Sequence, residues 1–264
     1  LTACVTASLL QAVTYRSKMF QDLPVQPIPL VILTVILIGA AVGYVNGFSV
    51  AKFQLHPFIV TLATQLMVYG VILMYVMIGK NNGQPISGLD DSFKRFVTGS
   101  IKGLEFGDIR ISNYVLYALL IVALTWFLWN KTRFGKNMFA VGSNSEAANV
   151  SGVNVQRTII LVHTFAGIMY GVTGFIEAAR IGSNSAATGL NYELDAIAAC
   201  VIGGVSFVGG TGKVSGIVMG VFLLRIIFVA LNALSIDANL QYIIKGLIIL
   251  VACAIDMRKY LVRK

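Results

Sequence analysis

The sequence predicts an all-α bundle of membrane helices, and three observations carry that prediction. Of its 264 residues, 57% are hydrophobic and only 12% are Asp, Glu, Lys or Arg, with mean hydropathy +0.81. A water-soluble domain carries roughly twice that charged fraction, so too few ions are present to coat a wetted surface. Residues 23–51, 53–79, 111–130 and 158–176 contain no Asp, Glu, Lys or Arg, and each reaches or approaches the ~20 residues a helix needs to cross hydrocarbon. Prolines stand at segment entrances, Pro24, Pro27 and Pro29 before one run and Pro57 at the start of another, where a missing N–H is tolerated. Disorder, a secreted disulfide scaffold and a cytosolic enzyme are excluded by this composition.

Eight membrane segments follow in order, near 1–15, 28–50, 57–79, 113–130, 158–179, 194–209, 214–235 and 239–256. The first opens at Leu1, already inside an apolar stretch, and is read as part of a span whose upstream residues are missing. Trp126 and Trp129 close the fourth, as aromatic residues do at membrane interfaces. The sixth is uncharged from Ala196 to Gly212, but Gly203, Gly204, Gly209, Gly210 and Gly212 interrupt it, which predicts a broken or re-entrant element. The chain is one transmembrane domain, 1–264, with long connections at 80–112 and 131–157.

Alternating the connections places ten Lys and Arg on one side and seven on the other. That bias puts 131–157 and the C-terminal tail in the cytoplasm and 80–112 outside, in the periplasm. The outer loop mixes both charge signs, as a solvated cap would, with a docking surface as its functional alternative. The net charge of +9 is spread between apolar runs, where it orients helices and meets anionic lipid; it is not the clustered face that nucleic acid requires. Cys4, Cys200 and Cys253 stand singly, without metal-ligand or disulfide spacing.

Glycines recur four apart at Gly39, Gly43 and Gly47, at Gly167 and Gly171, and at Gly212, Gly216 and Gly220. Such spacing lets helix backbones approach closely, for tight packing or for sliding in a transport cycle. Gly209-Gly210-Thr211-Gly212-Lys213 is not a phosphate loop, because Phe207 stands where the leading glycine is needed and Val214 where a Ser or Thr is needed. His56 and His163 lie in different segments, and no acid–base or metal pair is embedded in a span. No cofactor is called for.

The inner loop reads Asn144-Ser145-Glu146-Ala147-Ala148-Asn149-Val150-Ser151-Gly152. Ser143 or Asn144 can cap a helix with Glu146 in its first turn, and Gly152 can stop it. About two turns are too few to be stable alone in water. Such a helix either rests on lipid or is a peg inserted into a cytoplasmic partner.

Glu146-Ala147-Ala148, three residues, then Gly152 resembles the EAA motif of permease subunits of binding-protein-dependent ABC importers. Thr132-Arg133-Phe134-Gly135, Ala179-Arg180-Ile181-Gly182-Ser183, Tyr192-Glu193-Leu194-Asp195-Ala196-Ile197-Ala198-Ala199, Gly203-Gly204 through Gly209-Gly210, and Gln241-Tyr242-Ile243-Ile244-Lys245-Gly246 resemble the ribose/galactose branch. The likeness covers essentially the whole chain. An Ile-x-Leu-Pro continuation is absent near Leu161, Val162 and Thr164. The resemblance implies a homodimeric, multi-pass permease of the bacterial inner membrane, with two more N-terminal segments than this chain has. It also implies a cytoplasmic ATP-binding subunit, a periplasmic sugar-binding protein and a monosaccharide cargo, a galactoside favoured, moved by alternating access. Glu146 would orient the coupling helix, Ala147 and Ala148 would allow close contact, and Gly152 would permit the turn. The rival is an ion- or proton-coupled secondary transporter, which needs acidic residues at broken helices.

Four charges are candidate pathway or intramembrane groups: Arg225, Lys245, Glu193 and Asp195. Arg225 is twelfth of the 23 residues between Lys213 and Asp237. An unpaired cation at that depth costs about 2.5 kcal/mol or more, so it should face protein or water; Glu177, Glu193 and Asp195 are its candidate partners. Glu177 and Arg180 should pair locally, one turn apart. Lys245 is read as snorkelling to the interface, with a pathway role as the alternative.

Overall fold

A computed structural model describes residues 1–15, 18–79, 81–106 and 109–261; the side chains of 101–110, 238, 252 and 255–261 are outside that description. Arg16, Lys80, Asp108, Arg263 and Lys264, which entered the charge and loop arguments, lie outside the described residues. The elements are α1 (Thr2–Leu9), α2 (Ile28–Phe53), α3 (Pro57–Val76), α4 (Asp91–Thr98), β1 (Ser100–Phe106), β2 (Ile109–Ser112), α5 (Asn113–Lys131), α6 (Arg133–Ser143), α7 (Ser145–Val150), α8 (Val155–Ile181), α9 (Tyr192–Ile202), α10 (Val214–Ala233) and α11 (Ala238–Leu261). Among the described residues the only sheet is the antiparallel pair β1–β2. Among the described residues five helices, α2, α3, α5, α8 and α10, are long and apolar enough to cross a membrane, and α11 carries a shorter apolar stretch, Asn239–Val251. The chain is an all-α polytopic membrane protein.

Two compact units divide the chain, Leu1–Ile121 with Gln156–Thr188, and Val122–Val155 with Gly189–Lys264. In the first, α2 and α8 pack backbone to backbone. A Cβ on Gly47 would lie 2.8 Å from Ile160 Cα, and one on Gly43 would lie 3.0 Å from Thr164 Cα. Gly167 meets Gly39 and Gly43 from the other side. The four-residue glycine spacing therefore serves close packing here. Thr64 Oγ1 donates to Asn46 Oδ1 at 2.6 Å. Val31, Val35, Ile72, Val76 and Phe175 fill the adjoining core.

Two sequence expectations are corrected in this unit. The segment read as 1–15 is helical only to Leu9, because the next residues turn aside to pair with a distant strand-like stretch. Gln11 is fully buried and bridges to Leu89; its Nε2 donates to Ser87 O at 2.8 Å and its Oε1 accepts from Met19 N at 2.9 Å. The 80–112 connection, expected as a solvated cap, contains a packed amphipathic helix. Asp90 caps α4 by accepting from Ser92 N at 2.8 Å. Phe93 and Val97 are fully buried, with the Phe93 ring 5.0 Å from that of Phe175.

In the second unit α9, α10 and α11 pack together around Ala198, Ala199, Leu224 and Phe228. The predicted break in the sixth segment is present. Helix α9 stops after 11 residues at Gly203, and Gly204 takes a φ of +82°, open to glycine and strained for other residues. A Cβ on Gly203 would stand 2.7 Å from Gly216 C, so the α9–α10 crossing is a second glycine seam.

Candidate functional site

The 131–157 connection folds into two helices joined at one residue. Thr132 caps α6, its Oγ1 accepting from Gly135 N at 3.3 Å while donating to Leu128 O at 2.6 Å. Gly135 lies so near the end of α5 that a Cβ there would be 2.6 Å from Leu128 O; this close approach requires the glycine of Thr-Arg-Phe-Gly. Asn144 ends α6 and, with extended backbone, begins α7. Of the two candidate caps, Asn144 makes the bond: its Oδ1 accepts from Ala147 N at 3.0 Å.

Both ends of α7 are fixed. At its C-terminus Gly152 has φ +82°, Val153 N donates to Ala148 O at 3.0 Å and Gly152 N donates to Asn149 O at 3.0 Å. That is the glycine-terminated pattern which satisfies the last carbonyls of a helix. Glu146 sits in the first turn and is exposed, as are Ala147 and Gly152; Ala148 is buried and Val150 is 89% exposed. The two alanines thus face opposite ways, Ala148 inward and Ala147 outward. A six-residue helix held at both ends and presenting Glu146, Ala147 and Val150 is a rigid surface suited to receive another molecule.

The intramembrane charges are placed as follows. Lys245 Nζ lies 2.9 Å from Asp195 Oδ1, 4.5 Å from the centre of the Phe228 ring and 5.8 Å from that of Tyr242. An ion pair with α9 and two aromatic faces hold the ammonium. Glu177 and Arg180 pair on α8 through two hydrogen bonds, 2.7 and 2.5 Å, as expected from their spacing. Arg225 is exposed, and it makes no ion pair with Glu177, Glu193 or Asp195. The structure does not bring the four candidate charges together; it joins two of them, Asp195 and Lys245. Sequence reasoning missed Phe228 and Tyr242 around Lys245. The three-residue spacing of Tyr242 and Lys245 was a usable signal, whereas Phe228 lies on another helix.

The chain is a multi-pass helical protein with a short capped helix, α7, in a basic connection. The comparisons make this specific. The profile of the family described as "Branched-chain amino acid transport system / permease component" matches residues 1–253, and the chain belongs to that family. The galactose/methyl galactoside import permease MglC of Escherichia coli is 47% identical over 100% of this chain and 77% of its own length; that of Haemophilus influenzae is 44% identical with the same coverage. The ribose import permease RbsC of Bacillus subtilis is 35% identical over 81% of this chain and 63% of its own length. No solved structure matches. The chain is thus an import permease rather than an enzyme, a multi-pass protein of the bacterial inner membrane.

Proposed function

We propose that this permease carries galactose or a methyl galactoside inward, and that ATP hydrolysed on a separate cytoplasmic subunit drives it. The observation that carries the cargo assignment is the identity gradient. Relatives named for galactose and methyl galactoside import are 41–47% identical over 90–100% of the chain, while those named for ribose import reach 34–35% over 81–84%. The family description names branched-chain amino acids, which makes leucine the informative competitor.

In this reading α7 is the coupling helix. Glu146 supports its positive end, Ala147 and Val150 meet the ATP-binding subunit, Ala148 seats the helix on its own chain, and Gly152 turns the chain back. Displacement of α7 biases the membrane helices between outward- and inward-open packings. A periplasmic sugar-binding protein delivers cargo on the side of 80–112. Arg225 supports a second copy of the permease: an exposed cation near mid-span with no ion pair among the described residues is costly against lipid, and a partner permease or a water-filled path between two copies removes that cost. Anionic lipid meets the inner-loop cations. Glu193, Asp195 and Lys245 are the charges assigned to the edge of the path.

Uptake of labelled galactose by proteoliposomes tests the reading. Uptake should need the permease, the ATP-binding subunit, the binding protein and ATP together, with leucine not competing. Accumulation driven by a proton gradient with the permease alone would establish the secondary-transporter alternative instead.

A further inference from the structure

We propose that the backbone contact of Gly142 with Gly209 and Gly210 is the joint through which movement of α7 enters the broken membrane element α9. The inference rests on the coupling role proposed for α7, and adds the receiving residues inside the permease.

The contact stands beside the hinge. Gly142 and Ser143 are the last two residues of α6, and Asn144 turns the chain into α7. A Cβ on Gly142 would lie 2.8 Å from Gly210 N, and one on Gly209 would lie 2.7 Å from Gly142 O. Ser143 Cα would be 2.7 Å from a Cβ on Gly210. Gly142 meets Gly209 and Gly210 main chain against main chain, with only the short Ser143 side chain beside Gly210, so little can absorb a displacement by changing rotamer.

The receiving loop is itself a closed piece. Ser206 N donates to Thr211 O at 3.1 Å, Val208 N donates to Ser206 Oγ at 3.1 Å, and Ser206 is buried. Gly209 and Gly210 have φ of +102° and +72°, conformations that side-chain-bearing residues rarely adopt. A push at Gly210 is therefore passed along the loop. Seven residues earlier Gly203 abuts Gly216 and Ile217 at the α9–α10 seam. In the first turn of α9, Asp195 is held by Lys245 of α11. Helix α9 is thus pinned near its start and driven at its end, the arrangement of a pivoted arm. Gly142 and Gly210 are positioning residues for transport and touch neither cargo nor ATP.

The test uses the permease in complex with its ATP-binding subunit, reconstituted with the sugar-binding protein. Gly142 has no left-handed φ, and alanine is the better helix former, so Gly142→Ala changes little besides adding a methyl group against Gly210. The expected result is retained copurification of the ATP-binding subunit, continuing ATP hydrolysis and at least a tenfold loss of sugar uptake, so that ATP consumed per sugar moved rises. Uptake within twofold of the unaltered protein overturns the proposal. So does loss of the ATP-binding subunit together with uptake, which is the mark of a merely structural contact. If Gly142→Ala does not accumulate in the membrane, hydrogen–deuterium exchange of the unaltered complex decides: ATP should change the protection of residues 203–212 together with that of 144–152, and a change at 144–152 with 203–212 unaltered overturns the proposal. Failure of the unaltered permease to copurify any ATP-binding subunit overturns the importer reading and this joint with it.

Discussion

Each compact unit is built on a glycine seam, and the seams differ in what continues beyond them. In the first unit α2 and α8, of 26 and 27 residues, run past Gly39, Gly43, Gly47 and Gly167 without interruption. In the second, α9 meets α10 at Gly203 and Gly216 and there stops, giving way to a loop with left-handed glycines. In the first unit the contact between α2 and α3, Thr64 to Asn46, is neutral, and the ion pair of Glu177 with Arg180 lies within α8. In the second an ion pair joins two helices and carries an aromatic face. One chemistry, the missing Cβ, yields a continuous brace in one place and an interruptible element in the other. The difference lies in backbone continuity: an unbroken helix has no unsatisfied groups to rearrange, while a broken one offers a loop and two ends.

Substitutions in the two seams sharpen this contrast. The largest effect is expected for Gly43→Leu. Its side chain would collide with the backbone of His163 and Thr164, which has no rotamer to change, and about 3 kcal/mol or more of stability is lost. Thermal unfolding in detergent and membrane accumulation report it. Removing one member of the ion pair comes next. Lys245→Met leaves Asp195 unpaired and Asp195→Asn leaves Lys245 unpaired, and with side chains 23% and 35% exposed each single change is expected to destabilise by about 1–2 kcal/mol. The double variant should recover part of that loss, and a double-mutant cycle on detergent melting curves checks it. A double variant as unstable as the sum of the singles would show that the two groups do not interact.

Smaller effects follow at the caps and the surface. Asn144→Ala removes the acceptor for Ala147 N and should weaken α7 by about 1 kcal/mol; uptake at raised temperature should fall before that of the unaltered protein. Lys94→Ala deletes an exposed pair with Asp91 at 3.3 Å and should shift the melting curve by no more than about 0.5 kcal/mol.

Sequence alone made legible what local chemistry governs. Uncharged runs located four of the five long helices, α2, α3, α5 and α8, while α10 spans Arg225; Pro57 placed the start of α3, and Asn144, Glu146 and Gly152 delimited α7. The glycine-rich break at 203–212 was legible for the same reason, since glycine and the lack of charge act within a few residues. What escaped was governed by residues far apart in the chain. Helix α1 ends at Leu9 because Gln11 pairs with Ser87 and Leu89, and Lys245 meets an acid 50 positions earlier. Phe93 and Val97 share a face of α4, but their charged surroundings hid the apolar pattern until the ring of Phe175 supplied a contact. The contact of Gly142 with Gly209 and Gly210 left no mark in sequence, because two glycines can touch wherever the chain brings them.

The central claim is that α7 is the lever on which the ATP-binding subunit acts. Photo-crosslinking from a benzophenone attached at Glu146→Cys, in native membranes and with the other cysteines replaced by Ser, tests it most directly. The account predicts one dominant adduct, the ATP-binding subunit. An adduct with the external sugar-binding protein, or labelling of position 146 from outside the cell, would contradict it.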